Sequence, residues 1–304
     1  MPSTPALSLR DALLAVAIMA VWGSNFSVVS VVLADGMPPL LFACLRFTFA
    51  VLPAIFFLPR PNVPWSKFAA YGLLIGVGQF GLLFLAMRGN ITPGLASLLA
   101  QTQVFFTIAM AVAISGERVR PFQVLAVLLA ATGVAVIISH TDGSTTPYGL
   151  ALVIIAAVSW AGANMVTRTL PGINMVSFIV WASLFSAPPL FALSLWVEGW
   201  PAIRDSLANA GLQTWAAVAY QSFGNTLFGF AMWAWLLARY PAATVAPMSL
   251  LVPVFGMGIA SLWLSEPLPP WKVIAAALVM AGLAVNILWP RVVAIRGARN
   301  APAA

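Results

Sequence analysis

Long apolar runs of about 20 residues alternate along this chain with short stretches rich in Pro, Gly and charge. Barrel strands would alternate apolar and polar positions over about ten residues, so runs of this length read as membrane-crossing helices. The pattern predicts ten spans, roughly 12–33, 38–58, 67–87, 93–115, 121–139, 147–168, 175–197, 211–237, 242–264 and 270–290. The breaks between them carry the residues that stop helices, such as Asp35-Gly36 with Pro38-Pro39, Asn90 to Pro93 and Pro171-Gly172. The longest, Glu198 to Asn209, reads as a loop, and none leaves room for a soluble catalytic domain.

One stretch occurs twice. Residues 117–136, ERVRPFQVLAVLLAATGVAV, align without a gap on residues 266–285, EPLPPWKVIAAALVMAGLAV, at a shift of 149. Glu117 falls on Glu266, Pro121 on Pro270 and Gly133 on Gly282. Shared Ala, Leu and Val follow from apolar composition alone, whereas Glu, Pro and Gly at fixed offsets point to duplication. The chain divides accordingly into a tail at 1–11, a five-helix repeat at 12–139, a second at 147–290, and a tail at 291–304.

Composition excludes most other classes. Hydrophobic residues make up 62% of the 304 positions and charged residues 7%, too few to cover a soluble surface. The net charge of +7 would raise nucleic acid as a partner, but the bases sit at helix ends, where membrane topology accounts for them. Cys44, the lone cysteine, excludes a disulfide framework, and His140, the lone histidine, offers no metal site. There is no P-loop, no HExxH and no Ser-His-Asp spacing, so neither an enzyme nor a cofactor is expected.

Charge also orients the chain. With the N-terminus in the cytoplasm, Arg10, Arg60, Lys67, Arg118, Arg120, Arg168, Arg239, Arg291, Arg296 and Arg299 lie inside. Arg88, Arg204 and Lys272 lie outside, and Arg46 falls within a span. That bias predicts both termini in the cytoplasm. Five spans per repeat is odd, so the second copy inserts upside down, and Arg118 and Arg120 become Pro267 and Pro269 in it. Inverted repeats are the plan of secondary transporters, with a site near the midplane and alternating access.

Polar residues inside spans are costly and become the site candidates. Counting 1.5 Å per residue, Asn25, Arg46, Gln79, Gln101 and Gln103 reach a similar level, slightly outward of the middle of a core about 30 Å thick. Arg46 has no Asp or Glu at its depth, so it meets a transported carboxylate, held bidentately, or snorkels outward, or bonds helix carbonyls and Asn25 as a structural clasp. The second half adds Gln221 and Asn225, four apart on one helix face. It also adds Trp160 and Asn164 in WAGAN, which echo Trp22 and Asn25 in WGSNF. Hydrogen bonding between helices, typically about 0.6 kcal/mol each, is the alternative role for these amides. Pro247 and Pro253 would free carbonyls in span nine and form a hinge. Glu117 and Glu266, far from the midplane, read as caps or interfacial charges, and Gly72, Gly76, Gly78 and Gly81 as close-packing positions.

These motifs taken in order resemble a known family. WGSNF, PPLLFACLRF, TPGLASLLAQTQVFFT, SGERVRP, APMSLLVPVFG and SEPLPPW are similar to the drug/metabolite transporter superfamily, and most to its EamA-type branch of bacterial inner-membrane exporters. The resemblance spans essentially the whole chain. It implies an all-α membrane protein of ten spans in two inverted five-helix repeats, exporting amino acids or related metabolites, with a small-molecule substrate, the lipid bilayer and no obligate protein partner. Small four-span relatives carry a membrane carboxylate in their first span. Here that place is held by Trp22 to Asn25, which disfavours proton coupling by that route and leaves facilitated export as the expectation. Efflux of a bulkier organic solute or drug, possible for 12 Trp and 19 Phe, is the alternative.

Overall fold

Most span boundaries that the sequence marks with proline become helix starts. In the computed structural model, which describes residues 8–115, 120–140, 144–240 and 245–299, the regular elements are helical. Helix α1 is Leu9–Ala34, α2 Pro39–Phe56, α3 Trp65–Met87, α4 Pro93–Ile114, α5 Pro121–Ile138, α6 Pro147–Arg168 and α7 Met175–Val197. A short α8, Trp200–Ala208, is followed by α9 over 212–239, α10 over 246–264 and α11 from Pro270 to Arg299. Pro39, Pro93, Pro121 and Pro147 open their helices, where the missing N–H costs nothing. Ser8 and Asn174 cap α1 and α7 by accepting from Asp11 N–H and from Val176 and Ser177 N–H.

Eight of these helices are long and apolar enough to cross a membrane, and Met248–Leu264 is a shorter apolar helix. The stretch 212–239 is also helical, and Gln213, Thr214, Gln221, Ser222, Asn225 and Thr226 load it with polar groups. The structure departs from the expected loop Glu198–Asn209, where α8 forms instead. Pro201 opens this helix after Gly199 at φ 82°, and the buried Ile203 anchors it.

The helices are less uniform than an apolar run suggests. Helix α3 winds as a π-helix over Leu73–Gly81, and α9 does so over Tyr220–Phe228. Helix α4 is interrupted by a turn at Gln101-Thr102, and α7 is broken between Ser183 and Ala187. Helix α10 changes from 3₁₀ winding to α between Leu250 and Leu251. Glycines permit the closest approaches. A Cβ at Gly72 would strike the Ala182 carbonyl oxygen, one at Gly76 the Ser186 side chain, and one at Gly78 would lie 2.6 Å from Ser159 Oγ.

Helices α5 and α11 pack against each other antiparallel through matched positions. A Cβ on Gly133 would come within 2.9 Å of the Ala275 carbonyl oxygen, and one on Gly282 within 2.5 Å of the Ala126 carbonyl oxygen. The other main neighbours are α1 with α9 and α10, α4 with α6 and α10, α3 with α6 and α7, and α2 with α7 and α9. Two carboxylates fix helix starts. Glu198 accepts from Leu40 and Leu41 N–H at the head of α2, at 2.7 and 3.1 Å. Glu266 accepts from Gly94 N–H at the head of α4, at 2.9 Å, and pairs with Lys272 at 2.9 Å. Glu266 therefore acts as a cap, one of the two roles expected, while Glu117 lies outside the described residues.

Candidate functional site

The two π stretches, the turn in α4 and the start of the α-wound part of α10 meet at a cavity of about 60 Å³. It is lined by Trp22, Asn25 and Phe26 of α1, Arg46 of α2, Gln79, Phe80 and Leu83 of α3, and Gln101 of α4. Trp160, Asn225, Phe230 and Val252 complete the wall from α6, α9 and α10. Space of that size takes a few waters and is smaller than the roughly 150 Å³ of a cavity that encloses benzene, so a whole substrate enters only as the helices around it move apart. Larger clefts open at helix ends, one beside Asp35 and Asp205 and one beside Arg10 and Asp11, but they lack a comparable set of buried amides.

Arg46 is the dominant charge, with only 1% of its surface exposed. Its Nε donates to Thr226 Oγ1 at 3.1 Å and its Nη1 to Gln221 Oε1 at 2.9 Å. The guanidinium carbon lies 3.7 Å from the centre of the Phe80 ring, a close cation–π contact. Among the described residues no carboxylate pairs with Arg46, and Nη2 has no hydrogen-bond partner. A guanidinium presents five donors, so part of its fork remains available on the cavity side.

A chain of amides extends from the arginine. Asn225 Nδ2 donates to Gln221 Oε1 at 3.0 Å and to Asn25 Oδ1 at 2.7 Å, tying α9 to α1. Trp22 Nε1 donates to the Asn225 carbonyl at 3.2 Å, and Thr226 Oγ1 donates to the Gln221 carbonyl five residues earlier, at 2.9 Å. These backbone acceptors lie within the π-wound stretch, whose i to i+5 bonding changes which side chains share a face. Tyr220 Oη adds a bond to the Val21 carbonyl at 2.8 Å and meets Ser24 Oγ at 2.6 Å. Amide groups of Gln79 and Gln101 complete the polar wall. Trp22, Phe26, Phe230, Leu83 and Val252 supply an apolar one.

Of the residues singled out from sequence, the structure gathers Trp22, Asn25, Arg46, Gln79, Gln101, Trp160 and Asn225 around one cavity. Gln221 is fully buried behind Arg46 and does not line it. Gln103 and Asn164 form a separate clasp, with Asn164 Nδ2 donating to Gln103 Oε1 at 2.8 Å and to Thr107 Oγ1 at 3.2 Å. Pro247 opens the 3₁₀ segment Ala246–Leu250, and Pro253 sits in the first turn of Leu251–Leu264, so the two flank the change of winding. Thr226, Phe80 and Phe230 were not singled out. Thr226 stands about 140° around an α-helix from Gln221 at 100° per residue, and only π winding brings it to the arginine.

A buried cation with a free edge, beside amides and aromatic faces, can bind a carboxylate while the opposite wall takes an apolar group. Comparison with known proteins agrees with a transporter. The chain is 39% identical over 292 residues to a protein of Salmonella typhimurium strain LT2 named "probable amino-acid metabolite efflux pump", covering 94% of this chain and 97% of that relative. It is 38% identical over 287 residues to a protein of the same name in Escherichia coli strain K12, covering 92% and 96%. A protein of known crystal structure superposes with a TM-score of 0.63 over 92% of this chain and 96% of its own, at 20% identity, a likeness of fold alone. The model of the EamA-like transporter family matches twice, over residues 9–139 and 147–288. The chain belongs to the EamA-like transporter family.

Proposed function

We propose that this protein exports amino acids or closely related small metabolites across the bacterial inner membrane by facilitated alternating access, with both termini in the cytoplasm. The observation that carries the reading is Arg46, buried and lining the cavity with no carboxylate to neutralise it among the described residues. A substrate carboxylate would take the free guanidinium edge with Asn25, and its ammonium would meet the carbonyls of Gln79, Gln101 or Asn225 and the faces of Trp22 and Trp160. The names of the two relatives, amino-acid metabolite efflux pumps, support that substrate class. The aromatic lining would also suit a bulkier solute, and the buried guanidinium is what favours one that carries a carboxylate.

The mechanism rests on ten spans in two inverted halves, 12–139 and 147–290. Four features support this. The family model matches once in each half. The π stretches begin at 73 and 220 and end at 81 and 228, so both ends are offset by 147. Gly133 against Ala275 and Gly282 against Ala126 are the same contact exchanged at an offset of 149, between antiparallel helices. Packing neighbours follow the same exchange, with α1–α10 answered by α6–α4 and α2–α9 by α7–α3. Rocking of one half on the other would then expose Arg46 to each side in turn, with Pro247 and Pro253 at a hinge. Among the described residues no acidic one lines the cavity, which supports a transport step without a carboxylate proton carrier there. Counterflow of the twenty radiolabelled L-amino acids in proteoliposomes tests the reading. Saturable exchange of at least one is expected, and exchange of none would overturn it.

A further inference from the structure

The Arg46 side chain is held by four partners, and none of them carries charge: the Thr226 hydroxyl, the Gln221 amide oxygen and the Phe80 and Phe47 rings. Gln221 is the unexpected member. Its Oε1 accepts from both Arg46 Nη1 and Asn225 Nδ2, which uses that oxygen fully. Its Nε2 is buried and has no hydrogen-bond partner among the described residues. A buried orphan donor is destabilising, and turning the amide over would sacrifice two good bonds to rescue one. Glutamate is nearly isosteric, and one of its carboxylate oxygens would keep both bonds of Oε1 while giving the buried guanidinium the counter-charge it lacks. Glutamine is thus the locally poorer choice for folding. Local rules are broken in this way where function demands it.

We propose that Gln221 is a positioning residue that sets substrate specificity: it fixes Arg46 with a neutral acceptor, so the guanidinium keeps its whole charge for an anionic group in the cavity. A carboxylate at 221 would satisfy Arg46 from behind and compete with the substrate for it. Gln221 also links Arg46 to Asn25 through Asn225, so the two groups facing a carboxylate are set by one amide. The inference rests on the reading of Arg46 as the carboxylate-binding group.

The test compares Gln221→Glu and Arg46→Gln with the parent. Each is purified to measure its thermal midpoint, then reconstituted to measure counterflow of the twenty L-amino acids. For the amino acid exchanged fastest, its carboxamide, which keeps the ammonium and side chain but lacks the negative charge, is measured as a competitor. Gln221→Glu is expected to raise the thermal midpoint while raising KM for the amino acid about tenfold to a hundredfold, with kcat changed far less and carboxamide affinity not reduced. A purely structural glutamine would instead lose stability and activity together. Unchanged amino-acid KM in Gln221→Glu, a lowered midpoint, or failure to fold would each overturn the proposal. If Arg46→Gln loses the preference for the amino acid over its carboxamide while Gln221→Glu keeps it, only the role of Gln221 falls. If both keep it, or the parent exchanges no amino acid, the reading of Arg46 falls as well.

Discussion

Removing the charge of Glu266 should damage the fold far more than removing the whole ion pair to which it belongs. Glu266 and Lys272 are 5% and 4% exposed in their side chains, with Oε1 and Nζ 2.9 Å apart. The second carboxylate oxygen takes Gly94 N–H at 2.9 Å, and Lys272 also donates to the Pro267 carbonyl at 3.1 Å. Glu266→Gln leaves a buried ammonium without a counter-charge and one amide oxygen to serve both Lys272 and Gly94 N–H, a loss of about 3–5 kcal/mol. Lys272→Met leaves a buried carboxylate still capping α4, and the cost is of the same order but toward the lower end. The double variant removes both charges and should lie within about 2 kcal/mol of the parent, because a buried pair roughly offsets its own desolvation. Non-additivity of at least about 3 kcal/mol is therefore expected. The buried free thiol of Cys44 provides the assay, since a thiol-reactive dye reaches it only on unfolding. Each single variant should lower the midpoint by about 5–15 °C, and the double variant should recover most of that loss. Single effects that simply add would refute the coupling and the capping role with it.

Two further outcomes follow from the arrangement. Gly133→Val and Gly282→Val should each destabilise by about 1–3 kcal/mol, and by similar amounts, because each inserts a Cβ against a backbone carbonyl of the other helix; thermal midpoints check this, and a neutral effect at either site would contradict the matched contact. A pH gradient imposed on proteoliposomes holding equal substrate on both sides should drive no net flux, and measured accumulation would show that proton coupling operates after all.

The helical class and the positions of most crossing helices were legible because both follow from a one-dimensional signal: apolar length punctuated by Pro, Gly and charge. Depth was legible for the same reason. Counting residues from a helix end brought Asn25, Arg46, Gln79 and Gln101 to one level, and the structure collects these four around a cavity. Azimuth was not legible. Gln103 shares the level of Gln101, but the turn at Gln101-Thr102 precedes a new helix segment and Gln103 faces Asn164 instead. Gln221 and Asn225 were correctly placed on one helix face. The π winding that adds Thr226, and so completes the grip on Arg46, leaves no mark in hydropathy. Glu198 is a further case. Its bonds to Leu40 and Leu41 N–H span more than 150 residues, and no local pattern announces a cap supplied from that distance.

The most direct test of the account is amino-acid counterflow in proteoliposomes with Arg46→Ala beside the parent, each checked for a monodisperse fold before reconstitution. Saturable exchange by the parent and its loss in a folded Arg46→Ala protein is the predicted result. Undiminished exchange in Arg46→Ala would contradict the claim that this buried guanidinium receives the substrate carboxylate.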